Sequence, residues 1–561
     1  MQRLNFGPAL SHGFAATPAQ PIPAARSRPA ALLLGWVLAS LIFLLPGCAS
    51  LPSGVARPVS QAFASPAETV LGKAVQNRAS AATARADSGF YLLDNAALAF
   101  STRLALIDSA EKSLDLQYYA IHSDETTDRL LDGLRRAAAR GVRIRILLDD
   151  FNISGEDAQV LQLAFVPGIE LRVFNPIPGS RSSIFFRVLG SLKDVDRIQR
   201  RMHNKIFVAD NAMAVTGGRN LGETYFGKGN DTNFVDIDVL AGGRIVRDIS
   251  RSFDQYWNNP LAYPAESLVE REELDALKRS AARNLQPPQD RATSAPSDPV
   301  PSPAPEPRSK AAAAVPDPVV NLASIPWVWA PSVLMVDKPS KIGADQSDVE
   351  DAQETLVDGL LQLVSQAQRE LLIVSPYFVP GPRMLEQLAA IRRKGVRIRV
   401  LTNSLSSNDA PAAHVGYARY RKSLLALGIE LHEMRAEQGG SLAVFGSSGA
   451  LSSKASLHSK IVVMDGRLVV IGSMNLDLRS QLQNTEIALV IRSRALAAQA
   501  TRVIEPTLSH GAYRVELLDG QLRWRAPEGA SFKDQTSEPD ASAGLKLLVQ
   551  LLEPFAPDEM L

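Results

Sequence analysis

MHNKIFVADNAMAVTGGRN, residues 202–220, returns in outline as LHSKIVVMDGRLVVIGSMN, residues 457–475. Each copy reads His-x-Lys-x4-Asp and then Gly-[Gly/Ser]-x-Asn. The first supplies His203, Lys205, Asp210, Gly217, Gly218 and Asn220; the second supplies His458, Lys460, Asp465, Gly472, Ser473 and Asn475. Apolar residues alternate toward a polar turn and an apolar run comes back, so each copy predicts a β-hairpin. A period of two puts the imidazole and the ammonium on one strand face. The Gly/Ser pair lets backbone approach whatever the hairpin holds, and the asparagine adds an amide donor. A single His-x-Lys on a strand is usually surface or core. Two copies with matching tails make it a motif.

Working outward, the flanks repeat as well. LIDSAEKSLDLQYY (106–119) and LVSQAQRELLIVSPYF (363–378) each read as a helix running into a strand. LRRAAARGVRIRILLDD (134–150) and LAAIRRKGVRIRVLTNS (388–404) each read as a basic helix, a glycine stop and a strand. GVRIR starts at Gly141 and again 254 residues later at Gly395, while the two histidines are 255 apart. The chain is therefore an internally duplicated α/β protein, expected to have a largely parallel central sheet in each half with the motif hairpin added. The arginines of GVRIR are expected to lie solvated at a sheet margin. Tyr118 and Tyr119, matched with Tyr377 and Phe378, are read as core, with an active-site wall as the alternative.

The rest of the 561 residues bounds the problem. Sixty basic residues against 59 acidic argue against a protein that coats nucleic acid. Cys48 is the only cysteine, which excludes an intrachain disulfide and a thiolate zinc site. It follows the apolar run Ala30–Gly47, with Arg3, Arg26 and Arg28 upstream, and Leu45-Pro46-Gly47-Cys48 resembles a bacterial lipobox. Lipidation at Cys48, or an uncleaved anchor, would hold the chain in the cell envelope, its body facing the periplasm. The organisation expected is a signal or anchor (1–48), a tether (49–85), a first lobe (86–265), a Pro/Ala-rich linker (266–324), a second lobe (325–510) and a C-terminal extension (511–561). In the extension, Ser542–Pro557 is read as an apolar helix that either faces a membrane or packs on the core.

The chemistry the motif suits is phosphodiester transfer. Lysine and asparagine can bind non-bridging oxygens, together with the backbone at Gly218 and Ser473, and a histidine can attack phosphorus or protonate a leaving alkoxide. One imidazole cannot do both, because attack and departure occur on opposite sides of phosphorus. Two copies can. Each histidine needs a carboxylate to set its tautomer. Asp236 in FVDIDVL, with Asp238 as the alternative, is expected to serve the first lobe, and Glu486 in NTEIALV the second. Asp210 and Asp465 travel with the catalytic motif but, lying at the turn, are expected to cap backbone. His12, His122, His414, His432 and His510 show no comparable company.

These residues resemble the HKD, or phospholipase D, superfamily. RRAAARGVRIRILLDDFN, RMHNKIFVADNAMAVTGGRNLGETYFG, TNSLSSNDAPAAHVGYARYRKSLL and SLHSKIVVMDGRLVVIGSMNLDLRS are most similar to its bacterial cardiolipin synthase C branch. The resemblance implies two α/β lobes, each a mixed β-sheet flanked by helices, with one active site between them and no metal or other cofactor. It implies a covalent phosphohistidine, with His203 as nucleophile and His458 as general acid and then base. The implied activity is a membrane-associated phosphatidyltransferase making cardiolipin from phosphatidylglycerol and a second phospholipid. Alternatives are a phospholipase releasing phosphatidic acid, or a secreted nuclease. An accessory protein is not readable from the sequence.

Overall fold

A computed structural model describes residues 51–82, 86–153, 155–178, 198–269, parts of 274–282, 317–342, 355–438 and 453–555. The apolar run, Cys48 and His12 lie outside the described residues. So does most of the linker.

The first sheet contains β1 (Ser88–Leu93), β2 (Ser113–Tyr118), β3 (Arg143–Asp149), β4 (Ile169–Phe174), the hairpin β5 (Ile206–Ala209) and β6 (Met213–Gly217), β8 (Asp238–Gly243), β9 (Ala262–Pro264) and β10 (Val328–Trp329). A separate strand, β7 (Thr232–Val235), precedes β8. The order is β10-β1-β8-β6-β5-β2-β3-β4-β9. The second sheet, β11-β18-β17-β16-β12-β13-β14-β19-β20, repeats it from β1 to β9 as β11 to β19, with β10 and β20 as added edge strands. Its strands are β11 (Ser332–Val336), β12 (Glu370–Val374), β13 (Arg397–Asn403), β14 (Glu430–Met434), the hairpin β16 (Ile461–Met464) and β17 (Leu468–Gly472), β18 (Ile487–Ile491), β19 (Ala512–Leu518) and β20 (Gln521–Arg525), with β15 (Lys454–Leu457) outside it. Strands β2-β3-β4 and β12-β13-β14 are parallel and every other neighbour is antiparallel, so the sheets are mixed rather than largely parallel. The helix–strand alternation that suggested parallel sheets covers only three strands per lobe. Strands β19 and β20 carry the second sheet beyond residue 510, and β10, after the linker, joins the first.

Helices α1 (Val70–Ala81), α2 (Ala96–Ser109) and α3 (Glu125–Ala139) cover the outer face of the first sheet; α4 (Arg244–Trp257) lies on its inner side. In the second lobe α5 (Leu356–Val364), α6 (Gly381–Arg393) and α7 (Pro411–Ala426) lie outside and α8 (Arg494–Pro506) inside. Helix α3 shows why the local reading works. The Asp124 carboxylate caps it by accepting the Thr127 N–H at 2.8 Å. Leu130, Leu131, Leu134, Ala137 and Ala138 form its buried stripe, and Gly141 at φ +90° ends it by turning into β3.

The inner faces of the two sheets share one apolar core. Ile206, Val208, Val239 and α4 residues meet Val374, Val463, Ile471, Ile487 and α8 residues. The lobes are therefore held by burial, and one short two-stranded ladder crosses between them: β7 pairs parallel with β15.

Two expectations change here. Arg145 of GVRIR is wholly buried, bonded to Asp115 at 2.7 Å and Asp254 at 2.8 Å. Arg143 is half-buried and Arg397 exposed at the starts of their strands, as expected, whereas Arg145 lies farther in, where helices cover both faces of the sheet. Residues 58–63, read from composition as tether, are seated along α4. In the C-terminal extension, α9 (Ala543–Leu552) packs on the core through Val549 and Leu552, beside Val379 and Val415, while Leu547, Leu548 and Leu551 are exposed. Among the described residues no helix is long and apolar enough to cross a membrane.

Candidate active site

Both motif histidines stand at the start of their hairpins, just before β5 and β16, where the lobes meet. The β7–β15 ladder runs directly into His458, whose N–H donates to Val235 O at 2.9 Å. At the matching place in the other lobe, Met202 pairs with Thr485 and the His203 N–H donates to Thr485 O at 2.9 Å. Each histidine is thus laid beside the residue preceding the other lobe's carboxylate, Asp236 or Glu486.

The orienting pairs are consequently crossed. His203 Nδ1 lies 3.0 Å from both carboxylate oxygens of Glu486, and His458 Nδ1 lies 2.9 Å from Asp236 Oδ2. Asp236 and Glu486 are the carboxylates expected from sequence, but the expected partners are corrected: each serves the opposite lobe. Asp238 is instead bound to Arg103 at 2.9 Å in the core of lobe 1. With Nδ1–H donated to a carboxylate, each ring keeps Nε2 for chemistry.

The small residues serve these carboxylates. A Cβ on Gly218 would lie 2.3 Å from Asp236 Oδ2, so that glycine makes room for the acid. Ser473, at the matching position, donates its hydroxyl to Glu486 Oε2, and Ser480 donates to Oε1 at 2.9 Å. Neither donor of Ser473 is left for phosphate, since its hydroxyl proton goes to Glu486 and its N–H donates to Ile487 O at 2.8 Å.

Lys205 and Lys460 fold back on their own strands, donating to the carbonyls of His203 (2.8 Å) and His458. An ammonium has three protons, so two remain on each for an anion. Burial pushes Lys205 down to about 7 and Lys460 down to about 8. Burial also pushes His203 down to about 4, with the nearby lysines adding to it and Glu486 opposing. Burial, then Lys460, Lys205 and His203, hold His458 well below its usual value. All four groups feel one another, as a single crevice requires. Burial alone would raise Glu486, but His203 and Lys205 outweigh it and keep the carboxylate ionised.

Of the asparagines, Asn220 accepts from the Ala120 N–H at 3.3 Å and donates to the Tyr225 hydroxyl at 3.0 Å. Asn475 has a buried Oδ1 with no hydrogen-bond partner. Asp210 and Asp465 stand at the far ends of the hairpins, roughly 15 Å along the strand from the lysines. They are not placed for catalysis. Asp210 accepts the N–H groups of Glu111, Lys112 and Ser113, and Asp465 those of Gln368, Arg369 and Glu370. Asp210→Ala should lower the unfolding free energy by about 3 kcal/mol, since three N–H groups lose their acceptor and a non-glycine residue at φ +52° loses the side chain that favoured it. Calorimetry would show the fall, with turnover of the still-folded fraction unchanged.

Aromatic walls complete the crevice, and these the motif did not reveal. Tyr119 meets the His203 ring edge-on at 5.2 Å; Tyr225 and Phe234 meet His458 at 5.3 and 4.9 Å. Tyr119 is therefore the wall, while Tyr118 is core. Tyr377 donates to Asp409 at 2.9 Å. The matching of Tyr118–Tyr119 with Tyr377–Phe378 slips by two residues, because Ile121 and Phe378 make equivalent bridges to Leu221 and Leu476. His122 has company after all: Asp157 binds its Nδ1 at 3.0 Å and its ring stacks on Tyr225. The only sequence signal was the nearness of Tyr225 to Asn220.

The family description "Cardiolipin synthase, PLD-like domain" matches residues 104–257 and again 360–507. Cardiolipin synthase C of Escherichia coli K12 is 35% identical over 82% of this chain and 94% of its own. The chain belongs to the phospholipase D-like cardiolipin synthase family. Both matched segments of this family contain one complete His-x-Lys motif. Cardiolipin synthase B of Salmonella typhimurium is 25% identical over 72% of this chain and 76% of its own. The phosphatidylserine synthase of Haemophilus influenzae shares the fold, with a TM-score of 0.52 at 14% identity over 87% of this chain and 98% of that one.

Proposed function

We propose that the chain is a phosphatidyltransferase that makes cardiolipin from phosphatidylglycerol and a second phospholipid through a phosphatidyl group held on His203. The observation that carries this reading is the pair of imidazoles, each with Nδ1 on a carboxylate and Nε2 left for chemistry, beside two buried lysines. His203 Nε2 attacks phosphorus, the bond to the departing alkoxide breaks, and His458 Nε2 supplies that oxygen's proton. The acceptor hydroxyl then gives its proton to His458 and attacks, and the P–N bond breaks. Lys205 and Lys460 neutralise the non-bridging oxygens. The cations that depress His458 in the empty crevice are offset once the phosphodiester anion lies between them, so substrate binding itself favours the acid form. Glu486 stabilises the charge that His203 acquires on becoming phosphorylated.

Purified protein given phosphate-labelled phosphatidylglycerol in vesicles should yield labelled cardiolipin. Phosphatidic acid as the sole product would establish the hydrolase instead. Lipidation at Cys48 belongs to the same proposal, and Cys48→Ser should release the chain from the membrane fraction and abolish its labelling by radioactive fatty acid.

The pH dependence follows from the signs of the shifts. Attack needs neutral His203, which prevails above about 4. Anion binding needs charged lysines, which prevail below about 7 and about 8. kcat/KM should therefore rise through the first value, begin to fall below the usual histidine range as His458 of the free enzyme loses the proton it must donate, and fall further through the last two. A profile flat to high pH would show that the lysine charges are dispensable.

A further inference from the structure

The stretch TNSLSSNDAPAAHVGYARYRKSLL has no part in the two-histidine chemistry, yet it places Asp409 in the loop between β13 and α7. Asp409 is exposed and held at both oxygens. The Tyr377 hydroxyl donates to Oδ2 at 2.9 Å, and the Ser456 hydroxyl donates to Oδ1 at 3.4 Å. Ser456 stands two residues before His458, so a period of two puts both side chains on one face, roughly 7 Å apart along the strand. Phe234, the register partner of Ser456 on β7, lies on that face too, its ring 4.9 Å from the His458 ring. The Asp409 carboxylate therefore overhangs the His458 end of the crevice.

Tyr225 closes the same corner. Its ring meets His458 edge-on at 5.3 Å and stacks on Phe234 at 4.6 Å. Its hydroxyl oxygen accepts from Asn220 Nδ2 at 3.0 Å, while its proton has no acceptor among the described residues. Burial, and after it Asp409 and Asp236, push this hydroxyl above its ordinary value against the Asn220 bond. Asp409 is also one of the carboxylates that oppose the effect of burial on Lys460.

This corner offers one unclaimed donor, the Tyr225 O–H, and one acceptor with lone pairs to spare, the Asp409 carboxylate. A hydroxyl donates and accepts at once, and so matches both. An ammonium carries only protons and would leave the tyrosine proton unanswered. His458 serves the oxygen of the departing alcohol and then of the incoming one, so the body of either alcohol lies at this end of the crevice.

We propose that Asp409 and Tyr225 form a head-group subsite that binds a free hydroxyl of a polyol alcohol, such as the second hydroxyl of a glycerol head group. The subsite rests on the phosphatidyl-transfer reading of the crevice and adds to it a choice among alcohols. Asp409 accepts the proton of the alcohol's free hydroxyl, Tyr225 donates to that oxygen, and the reacting hydroxyl is left facing His458.

The test gives the full chain mixed micelles of phosphatidylglycerol or of phosphatidylpropanol, which has the same three head-group carbons and no free hydroxyl. Release of the head-group alcohol, which counts transfer and hydrolysis alike, is followed below about pH 7, where both lysines keep their charge. kcat/KM should favour phosphatidylglycerol at least ~10-fold, the scale of a hydrogen bond to a charged partner. Asp409→Ala should cut that ratio at least ~5-fold, and so should Tyr225→Phe, which keeps the ring against His458. Both lipids are measured on one preparation, so a variant that is merely destabilised leaves the ratio unmoved. A wild-type ratio near one, or variants that slow both lipids equally, would overturn the subsite. A wild-type preference for phosphatidylethanolamine that Asp409→Ala abolishes would overturn the hydroxyl and put an ammonium in its place. Wild type releasing neither alcohol would refute the phosphatidyl-transfer reading itself, and the subsite with it.

Discussion

His203→Ala should lower phosphatidyl transfer on the order of 10⁴-fold or more, the scale seen when a covalent nucleophile is removed. The fold should stand, because Glu486 retains the hydroxyls of Ser473 and Ser480 as donors when the imidazole is gone. His458→Ala should be comparably slow on natural lipid, so turnover alone does not separate the roles. Leaving-group chemistry does. A p-nitrophenyl phosphodiester departs as a stable phenolate and needs no proton, so it should restore the first step to His458→Ala and leave His203→Ala inert. Phosphate label should then accumulate on the peptide carrying His203 in the His458 variant, quenched in base because phosphohistidine is labile to acid. Label on the peptide carrying His458 in His203→Ala, with none on His203 in His458→Ala, would reverse the assignment.

Glu486→Gln should cost about 10²- to 10⁴-fold in kcat, the scale of losing the carboxylate that fixes a catalytic histidine. The informative part is which histidine fails. Glu486 touches His203 at 3.0 Å, so its loss should persist with the p-nitrophenyl substrate. Asp236 touches His458, so Asp236→Asn should be largely rescued by that substrate. In double variants Glu486→Gln should add little to His203→Ala, and Asp236→Asn little to His458→Ala. The opposite pattern of rescue would mean that each carboxylate serves its own lobe.

The sequence by itself determined the duplication, the hairpins, the α/β class and which histidines, lysines and carboxylates line the crevice. These are legible because they are local. A period of two places His203 with Lys205 on one strand face, a glycine at positive φ ends α3, and the same pattern recurring 255 residues on marks the second half of the site. The turn position of Asp210 likewise foretold a capping role, which the three N–H contacts bear out.

Only the tertiary structure decided what lies across long separations. The burial of Arg145, the seat of Pro58–Phe63 and the aromatic walls depend on strand order, which no local period encodes. Above all, the carboxylates are exchanged. Asp236 and His458 are 222 residues apart and Glu486 and His203 are 283 apart, and they meet because two parallel crossings, β7 with β15 and Met202 with Thr485, carry each histidine into the other lobe. Spacing along the chain cannot distinguish a carboxylate that turns toward its own histidine from one that reaches the other's. That choice belongs to the packing of two sheets on one core.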